Sequence, residues 1–401
     1  MKESNPGAAF VVSLGAITLV GPLAIHLFLP AMPDVKAYFH ASDAMAQLTF
    51  SVTLIAMAVV TPVYGSLSDR YGRRPVLLTG LALFLLGSLV SAFAASVLIL
   101  IAGRLIQAVG AACGLTLSRA IAQDAYGPAA LVKAIAYLTM AYTLGPMLAP
   151  PVGGLLIDSF GWRSAFWFAL AVGAAISAAA YFVLHETRGP AARNDAPAGF
   201  LHHYNALLRD TRFLAFVLQS GFMSFMFFGI AAASPFLMKD LLHRTATEYG
   251  LYFMFFPLGY CSGNLISSRL SGRVAIEKMV LTGALICVVA IGAQSSLILA
   301  GYLSPLLIFL PGGTLSFAQG LALPNAQAGA MRIKPALAGT AAGLGVFIQM
   351  LLSAISAELY GLLADGTPRP MIMISSLGAV LAVATAAYSF IKRVPDHPPR
   401  A

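Results

Sequence analysis

His26, Arg104 and Glu358 are ionisable side chains set inside long apolar stretches, and their chemistry is the handling of protons and polar ligands. Histidine titrates near neutral pH. A carboxylate within an apolar helix can hold a proton or a cation. An arginine at mid-helix costs roughly 2.5–3.5 kcal/mol on insertion scales, so a role that offsets the cost is expected. Arg104 lies about seven residues, or about 10 Å, into its helix, beside Gln107 and Gly110. Its expected work is a hydrogen bond to a substrate, or control of a neighbour's protonation. Each residue also has a plainer reading: a neutral, hydrogen-bonded histidine, a snorkelling arginine, an interfacial glutamate. Asp34, at the edge of the first apolar run, is a fourth proton-coupling candidate.

A second group lies in the turn Gly65-Ser-Leu-Ser-Asp69-Arg70-Tyr-Gly72-Arg73-Arg74. Short basic loops between membrane spans stay on the cytoplasmic side. Anchoring needs no acid, so Asp69 is expected to do more. It can pair with Arg119 at the end of the fourth span, for which Asp124 competes, or face the N-terminus of the eleventh helix, where the dipole favours an anion. Such a network would latch the cytoplasmic side. Arg73 and Arg74 are either part of it or ordinary anchors.

The fifth span carries Gly145, Pro146, Pro150, Pro151, Gly153 and Gly154. Glycines permit close helix approach, and prolines remove donors and bend the helix. A kinked, small-faced helix can rock on its neighbour and seal the outer side; simple packing uses the same residues. Flexible methionine and aromatic faces suit a promiscuous apolar pocket. Tyr137 and Tyr142, Met223, Met226 and Phe227, and Tyr252 and Phe256 are its candidates, with Arg104, Gln107 and Gln349 as polar members. Core or lipid-facing packing is the alternative for each.

These residues must be positioned by membrane helices. Of 401 residues, 59% are hydrophobic and only 10% charged, with mean hydropathy +0.84, whereas a soluble domain carries about 25% charged residues. Apolar runs long enough to cross about 30 Å of hydrocarbon recur twelve times, near 8–33, 44–67, 75–96, 97–122, 130–158, 162–184, 211–238, 248–269, 277–298, 301–324, 336–363 and 369–392. With both termini inside, cytoplasmic loops hold 18 of the 24 Lys and Arg and the opposite loops five, Arg104 being left over. That bias supports the orientation. The expected organisation is a six-helix bundle over 1–184, a polar linker over 185–212 and a second bundle over 213–401. Gly72-Arg73 recurs as Gly272-Arg273, but Asp69 becomes Arg269, so the basic turn repeats without its acid.

The net charge of +9 is scattered between spans rather than gathered on one face, which argues against nucleic acid. Cys113, Cys261 and Cys287 lack metal-ligand spacing, as do His202 and His203 in the linker. No Walker loop is present and no enzyme constellation appears, so neither ATP nor another cofactor is expected. The N-terminal stretch lacks a convincing cleavage site and is expected to remain as the first span.

The loop pattern Gly-x-x-x-Asp-Arg-x-Gly-Arg-Arg resembles the signature of the major facilitator superfamily of transporters. Arg104-Leu-Ile-Gln107-Ala-Val-Gly110 resembles its fourth-helix motif, and Gly145-Pro146 through Gly154 its fifth-helix exporter motif, followed by Gly161-Trp162-Arg163 with Phe166. Arg119-Ala-Ile-Ala-Gln-Asp124 narrows the resemblance to the Bcr/CflA-type drug-resistance transporters. The resemblance implies an all-α fold of twelve transmembrane helices in two pseudo-symmetric bundles. It also implies proton-coupled export of small, mostly apolar compounds from the bacterial inner membrane, by a monomer without a cofactor. One departure stands out: the Bcr/CflA type usually has an acid where this chain has His26, and that acid is the usual proton carrier. Either His26 takes the role, or Glu358 does. Rival readings are a sugar or amino acid exporter or importer of the same fold, a non-transporting membrane sensor or scaffold, and a passive channel, which the scarcity of interior charge disfavours.

Overall fold

Prolines break the first and the eighth span. The structure, a computed structural model, describes residues 8–126, 128–188 and 205–392. The first span, α1 (Ala8–Phe39), divides into Ala8–Thr18, Val20–His26 and Met32–Phe39, with a 3-10 turn over Leu29–Ala31. A proline clashes with the carbonyl four residues earlier. Pro22 therefore ends the first piece at Thr18, and Pro30 ends the second at His26. His26 thus sits at a break in its helix because of a residue one turn further on.

The remaining helices are α2 (Asp43–Tyr71), α3 (Arg73–Ala92), α4 (Val97–Ala125, interrupted at Ala112), α5 (Pro128–Phe160) and α6 (Ser164–Val183). They are followed by α7 (Thr211–Leu241, closed by a π turn from Leu237), α8, α9 (Ile276–Leu299), α10 (Pro305–Ile333), α11 (Ala338–Leu363) and α12 (Arg369–Ile391). Eleven of the twelve are long and apolar enough to cross a membrane. The exception, α8, is split at Met254 into Ala246–Phe253 and Phe255–Leu270, because Pro257 faces the carbonyl of Phe253. The helix α5 runs through Pro146, Pro150 and Pro151 without a break. No strand occurs among the described residues. Of the expected linker 185–212, residues 189–204, including His202 and His203, lie outside the described residues.

Two turns show the internal repeat. Gly72 between α2 and α3 has φ 102°, and Gly272 between α8 and α9 has φ 76°. Both are backbone states that side-chain-bearing residues avoid. Likewise Ser96 and Ser304 cap α4 and α10, accepting from the amides of Ile99 and Leu307.

The described chain packs as two compact units. One comprises residues 8–188 together with 231–254 and 357–367; the other comprises 205–230, 255–356 and 368–392. The first therefore contains α1–α6 plus the end of α7, the short first piece of α8 and the end of α11. Within it α3 and α4 touch backbone to backbone: a Cβ on Gly110 would lie 2.2 Å from the amide nitrogen of Phe84. In the second unit, α8 and α10 meet the same way, and a Cβ on Gly263 would lie 2.0 Å from the carbonyl of Phe317. The core of the second unit gathers Phe213, Phe216 and Val217 of α7, Val280 and Ala284 of α9, and Ala326 and Ala330 of α10.

Candidate functional site

The α3–α4 contact carries Arg104 and Gln107 into the interior of the first unit. Both are 1% exposed. Arg104 donates from Nε to the carbonyl of Thr49 at 3.1 Å and from Nη1 to Oε1 of Gln107 at 2.5 Å. Gln107 in turn donates to Ser88 Oγ at 2.8 Å. The guanidinium lies 4.6 Å from the Phe28 ring centroid and 5.8 Å from that of Phe166. Its Nη2 has no hydrogen-bond partner, and no carboxylate pairs with it, among the described residues. A cation is thus held here by one carbonyl, one amide and two aromatic faces. The side chain does not snorkel.

The expected turn Gly65–Arg74 is corrected: Gly65–Tyr71 is the last part of α2, Gly72 alone makes the turn and Arg73 begins α3. The face carrying this segment, the basic face, holds a charge network. Asp69 pairs with Arg73 and with Arg188, each at 2.7 Å. Arg73 is buried and also reaches Asp124 from Nε at 2.8 Å and Ser68 Oγ from Nη1 at 2.7 Å. The expected pairing of Asp69 with Arg119 is corrected, as is the competition of Asp124 for Arg119. Five residues turn an α-helix by about 140°, so when Asp124 faces Arg73, Arg119 is carried round toward Tyr142 of α5. Glu186, just past α6, was missed by sequence reasoning. Its carboxylate accepts from the amides of Arg73 at 2.9 Å, Arg74 at 3.2 Å and Arg188 at 3.0 Å. A carboxylate at the N-terminus of α3 satisfies orphan donors and the helix dipole together. Arg74 donates to the carbonyl of Tyr181 at 2.8 Å, and Arg70 lies over the Tyr71 ring.

The opposite face of the first unit joins α1, α2 and α5 to the ends of α7, α8 and α11. Ser51 Oγ donates to Glu358 Oε2 at 2.6 Å. Asp34 is ion-paired with Lys239. His26 is buried, its Nδ1 has no partner among the described residues, and its ring centroid is 5.9 Å from that of Phe253. The α5 glycines touch two partners. A Cβ on Gly145 would lie 2.2 Å from Pro22, and one on Gly153 would lie 2.4 Å from the carbonyl of Leu27, both on α1. On the other side, a Cβ on Gly154 would lie 2.2 Å from the carbonyl of Ala246, and one on Gly250 would lie 2.4 Å from that of Pro150. The small residues thus let α5 meet α1 and the short piece of α8 at backbone distance. Trp162, nearby, packs edge-on against Tyr38, Phe39 and Phe166.

The expected pocket residues divide. Tyr137 is exposed, Tyr142 half-buried beside Arg119, and Tyr252 half-buried. In the second unit, Gln349 donates to Ser224 Oγ at 2.8 Å, and the Phe227 ring meets Phe256 at 5.3 Å. Met223 and Met226 are corrected. Both are fully buried, one against Cys287 of α9 and the other at Gly378 of α12, so they fill the packing of α7 and line no open surface. Phe256 is likewise enclosed against Phe309 and Gly312 of α10.

The chain and its fold have known counterparts. The chain is 27% identical over 379 residues, 93% of each chain, to "Multidrug resistance protein D" of Escherichia coli. It is 24% identical over 405 residues, 98% of each chain, to "Bicyclomycin resistance protein homolog" of Haemophilus influenzae. Its fold matches a solved D-xylose-proton symporter with TM-score 0.75 over 97% of each chain, at 15% identity, a level that speaks for fold alone. Residues 14–357 match the model of the Major Facilitator Superfamily, and the chain is a member of that family of membrane transporters.

Proposed function

We propose that the chain is a proton-driven exporter of small, mostly apolar compounds such as drugs. In this reading it is a monomer, without a cofactor, in a bacterial inner membrane. The basic face and both termini are cytoplasmic, and a central cavity alternates between the two sides. The relatives named for multidrug and bicyclomycin resistance support the cargo class. The packing of α5 against α1 and α8 supports a sealed outer side.

The observation that carries the coupling is the Ser51–Glu358 bond. Glu358 is half-buried, on α11, and joined there to a wholly buried serine of α2. Burying a carboxylate costs far more than burying the neutral acid. The serine hydroxyl can donate to the ionised acid or accept from the neutral one, so the bond persists in either state, and a Glu358 that has taken a proton from outside lets the outer side close at lower cost, which ties return of the carrier to proton entry. His26 responds in the opposite sense, since a proton would create a charge in a buried site. This asymmetry favours Glu358 as the proton carrier, with His26 and Arg104 shaping the interior around it.

The test is transport in proteoliposomes with an imposed pH gradient, for wild type, His26→Ala, Glu358→Gln and Arg104→Ala. Glu358→Gln should lose gradient-driven accumulation while retaining downhill exchange, and His26→Ala should keep its coupling. Gradient-driven accumulation that survives Glu358→Gln would falsify the assignment.

A further inference from the structure

The end of α5 holds an acid that neither the family motifs nor the coupling scheme uses. Asp158 accepts from the amide of Ala246 at 3.1 Å, from the amide of Thr247 at 2.8 Å and from the Thr247 hydroxyl at 2.6 Å. These are first-turn donors of the short helix Ala246–Phe253. The next amide, that of Glu248, is bonded to Thr245 Oγ1 at 3.1 Å, and Glu248 closes a capping box back onto the Thr245 amide at 3.2 Å. The first four amides of any helix lack partners within it. Here the helix caps one from its own sequence and leaves two to a residue of α5. The split at Met254 matters as well. An eight-residue helix is marginal alone, so its start is held from outside.

We propose that Asp158 is the positioning residue of the outer gate. Its carboxylate docks the N-terminus of the first piece of α8 onto α5, and this docking must be undone each time the outer side opens. Three bonds to one carboxylate form a charge-assisted set, stronger than neutral hydrogen bonds. A small cavity of about 60 Å³ borders the junction, lined among others by Asp34, Asp158, Lys239, Arg244 and Tyr249. The Asp34–Lys239 pair borders the same cavity as a second tie, between α1 and α7. Of the two, Asp158 makes more bonds and sits where the Gly154 and Gly250 contacts bring the backbones together. The gate role rests on the alternating-access reading above.

The experiment measures the distance between spin labels on purified full-length protein in lipid nanodiscs, without cargo or pH gradient. Labels at Phe160→Cys on α5 and Leu251→Cys on α8, both exposed positions, report the junction in a Cys261→Ser background. Asp158→Asn should raise the ratio of long to short distances about tenfold, the scale of losing a charge-assisted contact set. Thr247→Val should raise it by less, and the double variant by less than the product of the two. Asp365→Asn, an outer acid that caps its own turn at Thr367, should change nothing. An unaltered distribution in folded Asp158→Asn overturns the proposal. If that variant fails to fold, Thr247→Val decides, and an unaltered distribution there overturns it equally. Because no cargo or gradient enters the readout, a wrong coupling assignment leaves this outcome untouched.

Discussion

Arg188 holds the Asp69 carboxylate at 2.7 Å, which fastens the end of α2 to the chain leaving α6. Asp69 is 46% exposed and Arg188 18%, so the bond itself contributes only about 0.5–1 kcal/mol. In the proposed cycle, its importance lies in which state of the carrier it favours. Asp69→Asn should lower transport several-fold with expression and melting temperature intact, and Arg188→Ala should do the same. Unchanged turnover in both would make them simple anchors.

Arg73 is the hub of the basic face and should tolerate no conservative replacement. A lysine has one compact ammonium and cannot reach Asp69, Asp124 and Ser68 together from the fixed fork of a guanidinium. Arg73→Lys is expected to destabilise the protein by about 2 kcal/mol, less than a fully buried pair because Asp124 is 22% exposed. Thermal melting in detergent reads this directly, and a melting point within a degree of wild type would refute it.

Glu186→Gln should cost about 1 kcal/mol, the usual scale for a lost cap with its dipole interaction. A glutamine carbonyl can still accept from the Arg73 amide, so the loss is partial. Hydrogen exchange at the first turn of α3 should rise in this variant, and protection equal to wild type there would speak against the capping role.

Gly154→Val places a branched side chain where even a Cβ would lie 2.2 Å from the Ala246 carbonyl. The backbone cannot yield without parting α5 from α8. Transport should fall to background while the protein remains folded, because the same change opens a junction rather than the core. Transport at half the wild-type rate or more would show that the close approach is dispensable.

Arg104→Lys should be nearly as damaging as Arg104→Ala. The guanidinium offers directed donors to Thr49 and Gln107 and a flat face to Phe28, and an ammonium offers neither the fork nor the stack. A Lys variant with near-normal transport would reduce Arg104 to a carrier of charge.

Much of this architecture was legible in the chain. The twelve spans follow from hydropathy, and the Gly65–Arg74 segment together with the fourth- and fifth-span motifs pointed to the family. The α8 break was also readable, since Pro257 stands four residues after Phe253, yet a hydropathy window averages over it. Partners were less legible. Asp69 and Arg119 lie at the ends of neighbouring spans, but which way Arg119 points depends on a rotation of α4 that a linear pattern does not contain. Met223 and Met226, three residues apart, share a face; which of four neighbouring helices that face meets is set by packing. Glu186 and Asp158 were overlooked for another reason. Both satisfy backbone amides of distant helices, and backbone donors leave no mark in side-chain composition.

The two basic turns close differently. In the first unit the turn is tied by ions, Arg73 to Asp69 and Asp124. In the second, Asn325 of α10 donates to Ser267 of α8 at 2.8 Å, a neutral bond, and Arg273 stands exposed. Salt screens charges and barely touches neutral dipoles. The turn after α2 is consequently the more sensitive of the two to ionic strength on its side of the membrane.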